Sequence, residues 1–187
     1  MMNLKICHKK NVILLKKMKL QKLKDQAYYL LCLKKKQIPY QFSESVSKKK
    51  RFLTNKYLNE PTGWVSKGYT FIETNEKPLV VVYFEPNKII SKKYNDLEKL
   101  SVTDFSTFPI RIYFNKTNWL NPPKPFIVKS NLKKKRKEMY RKYLVQHEFG
   151  HVLGFGHPSL SLQSGKCDVM LQQTKWTEPY CEANFSV

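Results

Sequence analysis

Apolar and polar positions alternate along this chain with several periods, and each period predicts a different element. Over residues 4–24, Leu4, Ile6, Val12, Ile13, Leu14, Leu15, Met18, Leu20 and Leu23 interleave with Lys5, Lys9, Lys10, Lys16, Lys17, Lys19, Lys22 and Lys24. That is a loosely helical spacing with a basic face. The apolar run at 27–33 reads as helix or strand. Short β-branched or aromatic runs at 51–58, 69–73, 79–84 and 110–114 are bounded by turn formers such as Pro61, Gly63, Gly68, Asn75, Pro86 and Asn115, and predict the strands of one twisted sheet. Asn121-Pro122-Pro123-Lys124-Pro125 can continue neither helix nor strand and predicts an exposed connection. A long helix is expected after it, from Leu132 to Leu153.

Composition adds a boundary to this pattern. With 187 residues, 41% of them hydrophobic, the chain suits one packed domain plus an appendage. The polar stretch 43–50 reads as a linker, so the expected organisation is a Lys-rich N-terminal extension at 1–47 and one α+β domain at 48–187. Residues 1–50 hold fourteen lysines against two acids, and so carry over half of the net charge of +21. An anionic partner for this arm, a membrane surface or nucleic acid, follows as one expectation. A merely solvated helix is the other, because lysines outnumber arginines thirty-one to four and Arg is the residue that grips phosphates bidentately. No apolar run approaches the 18 or so residues that span a bilayer. Nor does a clear secretory signal stand out, which favours an intracellular location over a secreted one.

Candidate chemistry is concentrated in eleven residues. His147-Glu148-Phe149-Gly150-His151-Val152-Leu153-Gly154-Phe155-Gly156-His157 has the H-E-x-x-H-x-x-G-x-x-H order of a catalytic zinc site, and it contains three of the chain's four histidines. Residues four apart on a helix share a face, so His147 and His151 can present imidazole nitrogens to one ion. Gly154 can take the positive φ that ends a helix and lets the chain return His157 to the metal, with Gly156 as a second permissive position. Three neutral imidazoles leave a fourth position on Zn2+ for water, whose proton Glu148 would accept as general base.

Thirteen residues past His157 stands Met170, in Cys167-Asp168-Val169-Met170, where the metzincin metalloproteases place a turn whose methionine floors the metal site. Here the sequence resembles the metzincin clan. It is most similar to a family best represented in actinobacteria, labelled a domain of unknown function and regarded as secreted zinc proteases. Tyr140-Arg141-Lys142-Tyr143 resembles that family's Y-R-x-Y lead-in, Val169-Met170-Leu171-Gln172-Gln173-Thr174 its V-M-x-Q-x-T turn, and Cys181-Glu182-Ala183-Asn184 its closing C-x-x-N. Weaker landmarks lie at Thr62-Gly63-Trp64, Gly68-Tyr69-Thr70-Phe71, Arg111-Ile112-Tyr113-Phe114-Asn115 and Trp119, so the likeness covers roughly residues 51–187. The resemblance implies a metzincin-like α+β fold with a twisted mixed sheet of four to five strands, one long zinc helix and a small C-terminal lobe. It implies an endopeptidase acting on protein or peptide substrates. Gln146 departs from the family's Asn at that position, and Cys167 lies further from the third histidine than the family's cysteine does.

Several alternatives stay open on the sequence. Cys167 and Cys181 flank the methionine turn and form a disulfide worth about 3 kcal/mol, or remain two free thiols. Tyr180 has no motif that requires it at the metal, and neither Cys7 nor Cys32 sits in an inhibitory motif. The basic run at 133–137 reads as a solvated first turn of the expected zinc helix, or, lying near the site, as a feature that favours acidic substrates. Against the peptidase stand two other functions: a non-catalytic protein in which zinc serves stability while the basic arm binds, and an amidase acting on a non-protein amide.

Overall fold

The computed structural model describes residues 2–94, 100–126, 128, 130–158, 165–175, 181 and 183–187, with 2–16 and 130–131 described by their backbone alone. In chain order the elements are α1 (Met2–Lys35), β1 (Gln37–Phe42), α2 (Lys48–Leu58), a 3₁₀ turn (Trp64–Lys67), β2 (Thr70–Glu73), β3 (Val80–Glu85), α3 (Asn87–Lys93), β4 (Val102–Asp104), β5 (Ile110–Asn115), α4 (Lys116–Leu120), a second 3₁₀ turn (Ser130–Lys135) and α5 (Arg136–Val152). Among the described residues, five strands form one sheet in the order β2-β1-β3-β5-β4. The first four are parallel and β4 runs antiparallel to β5 at the edge. The fold is thus mixed α+β.

Strand residues alternate between the two faces, and the register puts the large apolar side chains of neighbouring strands side by side. Ile38, Tyr40 and Phe42 of β1, Val80, Val82 and Phe84 of β3, and Ile110, Ile112 and Phe114 of β5 are all buried in one core. Helix α5 lies over it, with the Phe149 ring edge-on to Tyr40 at 5.7 Å and to Phe71 at 5.3 Å.

Two sequence expectations meet a different structure. Residues 51–58, expected as a strand, belong to helix α2, which starts after Ser47. The segment buries Thr54, Tyr57 and Leu58, an i, i+3, i+4 set, while Phe52 on the opposite side is 68% exposed. A short apolar run does not reveal by itself which period it will use, and here packing against α5 selects the helical one. The second concerns the boundary at 47/48. Gln37–Phe42 lies before it, yet forms β1, hydrogen-bonded on both sides to β2 and β3. The sheet therefore draws strands from both sides of that boundary, and Tyr28, Tyr29, Cys32 and Leu33 at the end of α1 pack on the same core. Residues 27–33 are helical. Among the described residues, no helix is long and apolar enough to cross a membrane.

Candidate metal centre

The second half of helix α5 is buried nearly all round. Val145, Phe149 and Val152 share the face packed on the sheet, and His147, Glu148 and His151 share another, where Tyr143 and Leu144 line the cleft beside them. The helix ends at Val152 in a Schellman motif: the Gly154 amide donates to the His151 carbonyl at 2.9 Å and the Phe155 amide to the Gly150 carbonyl at 3.0 Å. Gly154 takes φ +92°, the left-handed conformation that L side chains resist. Gly156 does not adopt a positive φ, so one left-handed residue suffices to reverse the chain. The Phe155 ring then stacks on Trp64 at 4.6 Å, anchoring the returning strand of chain that carries His157.

The three histidines meet. Nε2 of His157 lies 3.1 Å from Nε2 of His147 and 3.1 Å from Nε2 of His151, and one ligand nitrogen from each of the three falls within 4.8 Å of the others. Tetrahedral bonds of about 2.0–2.1 Å to one zinc ion separate two nitrogens by about 3.3 Å, so the spacing fits a shared ion. The tautomers agree. Nδ1 of His147 is 2.9 Å from the Val169 carbonyl, and Nδ1 of His151 is 2.9 Å from the Phe155 carbonyl. A carbonyl only accepts, so each Nδ1 carries its proton and each Nε2 keeps a lone pair aimed at the common point. Burial holds the His147 pKa down to about 3, with His151 adding to the effect, and lowers that of His151. His157 is lowered to about 4 by burial, His151 and Lys175. Neutral imidazoles are the metal-binding form.

Glu148 lines the same cleft of about 260 Å³ as the three histidines. It is buried, and burial raises its carboxyl to about 7 against the opposing hydrogen bond from Thr103. That hydroxyl, on edge strand β4, is 2.7 Å from Oε2 of Glu148. Phe105, Tyr143, Gln172 and Thr174 are among the other residues that line this cleft.

Beneath the helix lies the methionine turn. Met170 is buried, and its sulfur sits so close to Gly150 that a Cβ there would lie 2.3 Å from it and 2.8 Å from Cζ2 of Trp64. Gly150 is therefore a contact residue of the turn, a role that its place between two motif histidines did not disclose. The Met170 amide donates to Oδ1 of Asp168 at 2.7 Å, which closes the turn and presents the Val169 carbonyl to His147. Tyr143 bonds the Leu171 carbonyl and Tyr140 bonds Thr174, so the lead-in tyrosines hold the same turn. Gln146 reaches the other way, into a socket against Gly63. Its side chain donates to the Tyr57 carbonyl and accepts from the Trp64 amide, and its own carbonyl accepts from the Trp64 indole at 2.7 Å. A Cβ on Gly63 would meet Nε2 of Gln146 at 2.3 Å, so the glycine leaves the room that this amide occupies.

Cys167 and Cys181 form a disulfide that closes a loop around this turn. Asn184 donates to the Cys167 carbonyl at 2.9 Å and is itself held by Gln173. Cys32 is a free, buried cysteine packed in the main core, away from the cleft. The side chain of Cys7, and Tyr180 entirely, lie outside the described residues. The basic run at 133–137 occupies the start of α5 and the turn before it, about 15–20 Å along the helix from the histidines. It does not line the cleft, and Arg136 instead braces the carbonyls of Phe126, Pro122 and Pro123.

Residues 47–185 match the model of one protein family, described as Protein of unknown function (DUF3152). No curated protein and no solved structure matches the chain.

Proposed function

This chain belongs to the DUF3152 family over most of its length, and from its site we propose that it is a metzincin-like zinc endopeptidase with His147, His151 and His157 as ligands and Glu148 as general base. One observation carries the reading: three imidazole nitrogens converge beside a buried carboxylate in a single open cleft. The fit to zinc rests on the donor set, three imidazoles of which His147 and His151 are held in their tautomers by backbone carbonyls, with no thiolate among the described residues that line the site. Zinc bound there would lower the pKa of a water molecule to about 7 and polarise the scissile carbonyl.

The remaining steps belong to the protein. Glu148 accepts the water's proton and later delivers it to the leaving amine, and Thr103 holds the carboxylate for both transfers. Phe105, Leu144 and Tyr143 line the cleft into which that carboxylate faces. Met170 packed under Gly150, the Gly154 reversal and the antiparallel edge strand β4 support the metzincin-like assignment.

Glu148→Gln tests the reading. The variant is expected to retain one zinc per chain by elemental analysis and to lose about 10²–10⁴-fold in cleavage of an unstructured protein. Undiminished turnover would eliminate Glu148 as base. Zinc retained by a wild-type chain that cleaves no peptide or other amide would leave the metal a structural role only.

A further inference from the structure

We propose that α1 is an interfacial helix whose outward apolar stripe docks on an anionic lipid surface. Helix α1 carries two apolar faces. The inner one, at its C-terminal end, holds Tyr28, Tyr29, Cys32 and Leu33 against the core. It is pinned by the Tyr29 hydroxyl donating to the Val152 carbonyl at 2.9 Å and that of Tyr28 to the Lys77 carbonyl at 2.7 Å. The outer face is made by Leu20, Leu23, Leu30 and Leu31, which are 54%, 56%, 56% and 46% exposed.

These four leucines, with exposed Ala27 between them, fall within an arc of about 100° at helical spacing, and that arc is centred opposite Cys32 and Tyr29. A stripe of that width is what a helix buries, yet it faces solvent.

The charges say what covers it. Lys17, Lys24 and Lys35 border one edge of the stripe, Lys19 the other, and Lys34 its C-terminal end. The helix has a single acid, Asp25, which lies on the inner side and accepts from Gln21. A second copy of the helix laid along the stripe would bring lysine rows together with no acids to match them. A nucleic acid would satisfy the lysines and leave the leucines in water. An anionic membrane satisfies both, because leucines enter the acyl boundary while lysines stay at the headgroups. The helix lies on the surface, since it is too polar to cross it. This placement is independent of the peptidase reading, and it orients the chain with the Tyr29 side of α1, and so the end of the metal helix, away from the lipid.

The test uses the full chain and vesicles of phosphatidylcholine with and without phosphatidylglycerol. Co-sedimentation with the anionic vesicles is expected, weakened by salt. A quadruple variant, Leu20→Ser with Leu23→Ser, Leu30→Ser and Leu31→Ser, should bind them at least about tenfold more weakly at the same salt, because the lysines remain while the apolar anchor is gone. The pair Leu20→Ser and Leu23→Ser lies beyond the packed turns, so it gives the same direction of change should the quadruple variant fold poorly. Equal binding by wild type and variants, or no binding by wild type, overturns the proposal. So does a wild-type dimer in sedimentation velocity that the variants dissolve with no loss of vesicle binding, and so does retention of the wild type by duplex DNA in preference to the vesicles.

Discussion

Thr103 on β4 fastens the carboxylate of Glu148: its hydroxyl lies 2.7 Å from Oε2 and 3.1 Å from the main-chain oxygen of the same residue. The edge strand thus ties this carboxylate, the proposed base, to the sheet across 45 residues of sequence. Thr103→Val keeps the shape and removes the hydroxyl. The expected result is a fall in kcat of about tenfold or more, the worth of one hydrogen bond to a charged acceptor, with zinc content, KM and melting temperature little changed. Thr103→Ser should restore most of the rate. Equal activity of the Val and Ser variants would show that the contact positions nothing.

Two glycines of the motif should behave in opposite ways. Gly150→Ala would thrust a Cβ into the Met170 sulfur and the Trp64 ring, and overpacking of that kind costs about 1–3 kcal/mol. Gly156→Ala meets nothing within 4 Å and needs no left-handed backbone, so its cost should stay within about 0.5 kcal/mol. Urea unfolding of the two variants reads the difference directly.

The Cys167–Cys181 bond closes a loop of 14 residues in sequence separation around the methionine turn. Replacing both by alanine should lower stability by about 3 kcal/mol in urea unfolding. Because Asn184 and Gln173 also tie this segment to the turn, zinc bound at the proposed site should be retained when the wild-type protein is reduced. Release of the metal on reduction alone would mean that the disulfide, rather than the hydrogen bonds, positions the Val169 carbonyl behind His147.

Beside the cleft, Asp104 accepts from the Ser106 amide at 2.8 Å, from the Tyr94 hydroxyl and from Lys93 at 3.2 Å. Burial works against its ionisation, but these bonds prevail and hold its carboxyl well below the usual carboxylate range. A depressed folded pKa contributes stability that is present above the unfolded value of about 3.9 and is lost as pH falls through the folded one. Asp104→Asn should therefore be less stable than wild type at pH 7, and the gap should close progressively below about pH 4. A gap that is constant from pH 7 to pH 2 would refute the role of ionised Asp104.

Much of the candidate metal centre was legible because its geometry is local. His147 and His151 are one helical turn apart by spacing, and Gly154 reverses the chain by having no Cβ, so neither needs the rest of the fold to be inferred. The strands at 70–73, 80–85 and 110–115 were legible for the same reason, since alternation and flanking turn residues are short-range signals. Residues 51–58 misled because a short apolar run supports either period. Strand β1 was hidden behind the charge boundary, and β4 is only three residues long. Thr103 carried no signal at all: a threonine far from the motif gains its meaning only when β4 pairs antiparallel to β5 and arrives beside α5.

By itself, then, the order of side chains along the helix and turn determined which atoms can share an ion, since bond lengths and backbone periods set that spacing wherever the helix sits. Only the tertiary structure decided which lone pairs face the site and what holds the Glu148 carboxylate. Those depend on the Val169 carbonyl behind His147, the Thr103 hydroxyl on Glu148 and the Met170 sulfur against Gly150, contacts that exist only after burial of the sheet and helix brings distant segments within hydrogen-bond or van der Waals range.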